Sequence, residues 1–154
     1  MAEYSAMDIA NWFIERDNKA VEDRGEKLTL LKLLKLLYYA EGCYLAIKGE
    51  SLFDEKIIAW EHGPVVVEVY NEFPNAYNLA ETSNKNIRFK KIAKDDEEIL
   101  ENVFDVFGDF SAWGLRNKTH REKPWIEATD NGAHLNREIS RETMKNYFKE
   151  NYIE

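Results

Sequence analysis

The run LLKLLKLLYYAEGCYLAIK, residues 30–48, places apolar side chains on nearly every side of a helix and interrupts them with Lys32 and Lys35. A helix that is apolar all round cannot lie on a surface, so it must be surrounded by other elements. Thr29 before it supplies a side-chain acceptor for a first-turn amide, and Gly49 after it suits the left-handed conformation that closes a helix. The expected fold is therefore mostly α: a compact helical bundle around a central helix from about Leu30 to Lys48. With 154 residues, the chain has room for one domain, taken as residues 1–154, and not for a long catalytic scaffold such as an α/β barrel.

The helix starts around this centre share one grammar. Ser5 is preceded by Tyr4 and followed by Asp8 and Ile9, which gives a hydroxyl cap, an acidic third position and an apolar staple. The same frame recurs at Leu28-Thr29-Leu33, Phe110-Ser111-Leu115 and Ile139-Ser140-Met144. After Ser5, the residues Ala6, Ile9, Ala10, Phe13 and Ile14 form one apolar stripe. Ile99, Leu100, Val103, Phe104, Val106 and Phe107 form another behind the acidic start Asp95-Asp96-Glu97-Glu98, with Gly108 as its stop.

Weaker segments lie between. Ile57–Trp60 and Ile87–Ile92 are short and rich in β-branched or aromatic residues, and they are expected to pair as a small two-stranded β-ribbon. The valines 65–67 after Gly63-Pro64 are ambiguous, but Val66, Tyr70 and Phe73 before Pro74 have helical spacing, and Pro64 suits a first helical turn. A short helix is expected there. Asn75–Asn86 is polar and reads as an exposed loop.

Composition excludes several functions. The formal charge of −8 argues against a nucleic-acid backbone binder, which draws most of its affinity from Lys and Arg. No stretch is long enough to span a bilayer, and the start of the chain does not read as a signal peptide. Cys43 is the only cysteine, so no intrachain disulfide or cysteine-rich metal site is available and a reducing cytoplasm is the expected setting. His62, His120 and His134 show no metal-ligand spacing, and the scattered glycines form no phosphate loop. Neither a metal nor a cofactor is expected. Cys43 sits in the most apolar helix, where a thiol is inert.

Two stretches stand out. Ala59-Trp60-Glu61-His62-Gly63-Pro64-Val65-Val66 places a large aromatic and an imidazole at a turn, and Thr119-His120-Arg121-Glu122-Lys123-Pro124-Trp125 ends a polar run in Pro-Trp. Both suit packed corners, with Trp60 and Trp125 as buried supports and His62 and His120 reaching the surface. If the two corners meet, they form one functional face. An enzyme reading would make His62 or His120 a base beside Glu61 or Glu122, and it needs hydrogen-bond reach around a pocket. Lys32 and Lys35, three apart, fall on one helix face, where both ammonium groups are expected to emerge together and either snorkel or rim a groove.

The block Leu28-Thr29-Leu30-Leu31-Lys32-Leu33-Leu34-Lys35-Leu36-Leu37-Tyr38-Tyr39-Ala40-Glu41-Gly42, followed by Phe53, Ala59-Trp60, Gly63-Pro64-Val65-Val66, Val69-Tyr70, Ser111-Ala112, Leu115, Thr119-His120 and Pro124-Trp125, resembles the Panacea domain family of SocA-like antitoxins, also labelled phage-associated GepA-type proteins. The ordered match runs roughly from Ala6 to Phe148. It departs from the family pattern at Val67, where a proline is common, at His62, often aromatic, and at Gly114, often acidic. The resemblance implies a mostly helical domain, not an enzyme, that neutralises a cognate toxin protein by direct binding. The alternatives are an adaptor that delivers a protein to a cellular protease and a phage-derived inhibitor of a host protein. Nucleic-acid and membrane partners are not expected, and no oligomeric state is implied. Together with the two corners, the resemblance makes Lys32, Lys35, Tyr39, Trp60, His62, Tyr70, Thr119 and His120 the candidate partner-binding residues.

Overall fold

The computed structural model describes residues 2–24, 28–73 and 89–153. In chain order these form α1 (Ala6–Arg24), α2 (Leu30–Lys48), β1 (Ile58–Trp60), β2 (Gly63–Val65), α3 (Val67–Glu72), α4 (Lys94–Phe107), α5 (Ala112–Thr119), α6 (Lys123–Thr129), β3 (Arg137–Glu138) and α7 (Arg141–Asn151). The mostly helical expectation holds, and α2 is the hub. It packs against α1, α4, α5, α7 and β2, and every residue from Leu33 to Ala46 is buried.

All four expected caps are present. Thr29 Oγ1 accepts from Lys32 N at 3.3 Å, Ser111 Oγ from Gly114 N at 2.9 Å and Ser140 Oγ from Thr143 N at 3.2 Å. At α1 the box is reciprocal: Asp8 N donates to Ser5 Oγ and Ser5 N to Asp8 Oδ2. Each such cap is worth about 1 kcal/mol. Gly49, at φ 78°, ends α2 and sends its amide back to Leu45 O at 2.9 Å.

The β structure differs from the expected ribbon. β1 pairs antiparallel with β2 in the register Ile58↔Val65 and Trp60↔Gly63, and its other edge pairs with β3 through Ile58↔Glu138 and Ala59↔Arg137. The sheet is therefore three-stranded, in the order β2-β1-β3. Of the segment expected to partner β1, residues 89–92 form no strand, and the amide of Lys90 donates to Asp8 Oδ1 at the start of α1 instead. Pro64 does not open a helix either. It lies in β2, and the short helix begins at Val67. The physical reason is the Glu61-His62 turn, which folds Gly63–Val65 back onto β1. The expected stop at Pro74 and the loop at Asn75–Asn86 lie outside the described residues.

Inside this frame, α2 buries an acid. Glu41 is fully buried and accepts from Leu52 N at 2.9 Å, Phe53 N at 3.4 Å and Arg141 Nη2 at 3.1 Å. Burial raises its pKa above the ordinary carboxylate value, and the guanidinium and the two amides pull it back down. The Arg141 group also donates to Phe53 O and Glu55 O, so one ion pair joins α2, the segment after it and α7. Lower down the same contact, a Cβ at Gly42 would meet the Phe148 ring at 2.3–2.4 Å, and Phe148 is itself held edge-on by Tyr38 at 5.5 Å.

Gly42→Ala is expected to destabilise the protein by about 2 kcal/mol, the overpacking cost outweighing the better helix propensity of alanine. Urea unfolding checks this. Adding Phe148→Leu should cost less than the two separate effects combined, because the smaller side chain makes room for the new methyl.

Candidate functional site

The two corners do come together. Trp125 Nε1 donates to Trp60 O at 3.1 Å, and His120 Nε2 lies 2.6 Å from Glu61 O. The start of α6 and the end of α5 thus close on the β1–β2 turn. Trp125, 6% exposed, is the buried support, and the His120 ring lies over it with centroids 4.0 Å apart. Trp60 is only half-buried, which corrects the expectation for that residue. Its ring meets His62 at 5.7 Å and Tyr70 of α3 at 5.1 Å, both edge-on, and Nε1 donates to Asn136 Oδ1 at 3.2 Å. His62 and His120 are half-buried and Tyr70 is exposed, so the aromatic and imidazole edges reach the surface from a fixed base.

Gly63 makes this approach possible. Its φ is 119°, a conformation that L side chains rarely adopt, and a Cβ there would lie 2.7 Å from Lys35 Cε and 3.1 Å from Thr119 Oγ1. Lys35 and Thr119 are thus brought against the turn from two different helices. Thr119 is buried, and its hydroxyl donates to Arg116 O at 2.8 Å.

Lys35 does not emerge beside Lys32. It is 1% exposed, and its ammonium nitrogen lies 3.2 Å from His62 Nδ1. The Lys32 ammonium, half-buried, donates to Gly108 O at the end of α4. The one-face expectation fails because α2 is covered on all sides, so each lysine takes the neighbour that its own position offers. Burial, and then the Arg116 guanidinium, hold the Lys35 amine down from the ordinary 10.5 to about 7. His62 is pushed down to about 4, by burial first and then by the Lys35 charge. A neutral imidazole can accept the proton that Lys35 offers, which explains how the amine is tolerated inside.

Tyr39 lies apart from the corner. It is fully buried and stacked on Phe107 with centroids 4.0 Å apart. Close by, the buried Glu122 accepts from Tyr38 Oη at 3.1 Å and from the Tyr152 hydroxyl, with Lys118 Nζ at 4.0 Å. Burial raises the Glu122 pKa, and the two hydroxyl donors oppose the rise. Its carboxylate serves the tyrosines and not His120, whose ring nitrogens lie 2.6 Å from two backbone carbonyls, Arg116 O and Glu61 O. Among the described residues neither half-buried histidine is hydrogen-bonded to a carboxylate side chain, and no group of histidines, cysteines and acids could hold a metal ion. Cys43 is buried, and burial pushes its thiol up to about 12.

Sequence reasoning missed two residues of this surface. Trp113 is 66% exposed in the first turn of α5, and the Arg116 guanidinium sits 4.6 Å over its ring. The signal was available: Trp113 precedes Leu115, the buried anchor of α5, by two positions, and two positions place it across the helix on the wet side.

Lys35 gives this corner a pH signature. Between about pH 7 and 10.5 the unfolded chain keeps its lysine proton while the folded chain sheds it, so stability should rise with pH across that window. Lys35→Met should remove a contribution that approaches about 1.4 kcal/mol per pH unit. Denaturant unfolding of both proteins from pH 7 to 10, read as the difference between them, checks this.

A family model described as "Antitoxin SocA-like, Panacea domain" matches residues 33–126, a span from the first turns of α2 to α6 that takes in both corners. No curated protein and no solved structure matches the chain. Among the described residues no helix is long and apolar enough to cross a membrane. The matched span covers more than half of the sequence, and the chain belongs to the SocA-like antitoxin family with the Panacea domain.

Proposed function

We propose that this protein is the antitoxin of a toxin–antitoxin pair and neutralises its cognate toxin by binding it directly, in a reducing cytoplasm. The observation that carries the reading is an exposed group of interface-type side chains on a rigid corner of an antitoxin-family domain. Trp113, Tyr70 and Arg116 belong to the residue types that dominate protein interfaces, and Trp113 and Tyr70 are 66% and 39% exposed. Around them stand Trp60, His62 and His120. Lys35 and Thr119 support the surface from behind it, Lys32 braces α2 against the end of α4, and Tyr39 packs the interior. The net charge of −8 would speed encounter with a basic toxin at low salt.

Co-expression with the products of adjacent genes tests the reading. One neighbour should be toxic alone and harmless with this chain, and the two should co-purify. Trp113→Ala with Tyr70→Ala should abolish rescue while changing stability by no more than about 0.5 kcal/mol, as expected at exposed sites. Neutralisation with the toxin level unchanged supports direct inhibition, whereas loss of the toxin protein indicates delivery to a protease. If no neighbour is both toxic and relieved, the antitoxin reading fails.

A further inference from the structure

Three basic residues meet at the corner from three elements: Lys35 from α2, His62 from the β1–β2 turn, and Arg116 from α5, whose carbonyl accepts from Thr119 Oγ1 and lies 2.6 Å from His120 Nδ1, the ring that reaches Glu61 O on the turn. Lys35 Nζ lies 3.2 Å from His62 Nδ1, and the Arg116 charge depresses the protonation of both Lys35 and His62. Arg116 donates to Asn117 Oδ1 at 3.1 Å and covers the exposed Trp113 ring. Among the described residues none of the three makes an ion pair with a carboxylate. Glu61 pulls on His62 in the opposite sense, more weakly than burial and the Lys35 charge push it down. His120 completes the set. Its two ring nitrogens lie 2.6 Å from the Arg116 and Glu61 carbonyls and so link α5 to the turn.

A protein with eight more acidic than basic side chains thus gathers basic groups at one corner without pairing any of them, among the described residues, to a carboxylate. An anion supplied from outside pairs with the Arg116 charge and favours protonation of the amine and the imidazole that burial and that charge hold down. The half-buried Arg116 presents a planar fork suited to a carboxylate, and Trp113 beside it offers an apolar platform. A phosphate-rich backbone would be repelled by the remaining surface.

We infer that the corner between Arg116, His62 and Lys35 is a receptor for an acidic side chain of the protein partner, an Asp or Glu seated on Arg116 beside Trp113. The inference rests on the protein-binding reading above and names the chemistry of the group that docks. Seating the carboxylate favours the charged forms of Lys35 and His62, so binding draws protons from solution near neutral pH. It also accounts for a lysine buried without an acid on the central helix.

The test uses the full chain, with N-acetyl-Glu-Asp-Glu amide as the probe and inorganic phosphate and sodium chloride at matched ionic strength as comparisons. The His62 and His120 ring resonances are followed by NMR, and proton uptake is followed by calorimetry in two buffers of different ionisation enthalpy. The tripeptide is expected to bind saturably in the millimolar range, as suits a few charge-assisted contacts, to raise the midpoint of His62 titration and to take up protons. Arg116→Gln should weaken binding by about tenfold or more, and Arg116→Lys by less, because it keeps the charge and loses the fork. Shifts that follow ionic strength alone, or that persist unchanged in a folded Arg116→Gln protein, overturn the inference. Phosphate binding as well as the tripeptide overturns the assignment to a carboxylate. Peptide binding without rescue of any neighbouring toxin would leave this site standing and remove the antitoxin reading. Rescue that is indifferent to Arg116→Gln would remove the site and leave the antitoxin reading intact.

Discussion

A helix without a wet face has to settle its polar groups inside the protein, and α2 carries several. Glu41 is met by Arg141 and two amides, Tyr38 by Glu122, and Lys35 by His62. Each settlement ties α2 to a different element: α7 and the segment after α2, the α5–α6 junction, and the β1–β2 turn. Apolar burial alone would hold these elements near α2 without fixing their register, since hydrophobic attraction is non-directional. The hydrogen-bonded groups add direction, because a buried polar atom that misses its partner costs about 1–3 kcal/mol.

These three settlements are unequal. Glu41 has a full countercharge and two amide donors, so the desolvation cost of its charge is largely offset. Glu122 has hydroxyl donors and a lysine at 4.0 Å, an intermediate case. Lys35 has only a neutral imidazole, and a second cation stands nearby. Charge is therefore best compensated at Glu41, towards α7, and least at Lys35, towards the turn, although the buried Arg141 Nε and Tyr39 Oη on the α7 side have no hydrogen-bond partner among the described residues. The corner gathers what the fold leaves unbalanced: a depressed amine, a glycine at φ 119° and aromatic edges open to solvent.

The helices could be read from sequence because their signals are local. Four hydroxyl caps with apolar staples sit at the expected positions, and the all-round apolar run of α2 could only be central. The sheet could not be read in the same way, since its strands are two or three residues long and too short to show alternation. β3 is Arg137–Glu138, two exposed charged residues with no feature of a strand except the partner that β1 presents to it. Residues 89–92 carry the better strand composition, and yet the amide of Lys90 is taken by Asp8. The meeting of the corners was legible as a pair of aromatic turns. The burial of Lys35 was not, because it depends on how completely the neighbours close over α2, and Trp113 falls outside the apolar stripes that mark the helices.

The resemblance and the proposed binding surface overlap only in part: Trp60, Tyr70 and His120 belong to both, whereas Trp113 and Arg116 belong to the surface alone. Many of the residues that carry the resemblance are interior: Tyr38, Tyr39, Gly42, Gly63, Pro64, Thr119 and Trp125 are all buried. These residues hold one another by close packing, where even a methyl is felt, as at Gly42 against Phe148. Such a motif specifies a scaffold and says little about what the scaffold holds. Trp113 and Arg116 stand outside that interlock, with one ring mostly in solvent and one guanidinium half-buried over it. Substitutions there cost little folding energy, so one scaffold can carry many surfaces. If the proposed surface binds a partner, its selectivity is therefore to be sought in exposed side chains such as Trp113, held in place by this interlocked interior.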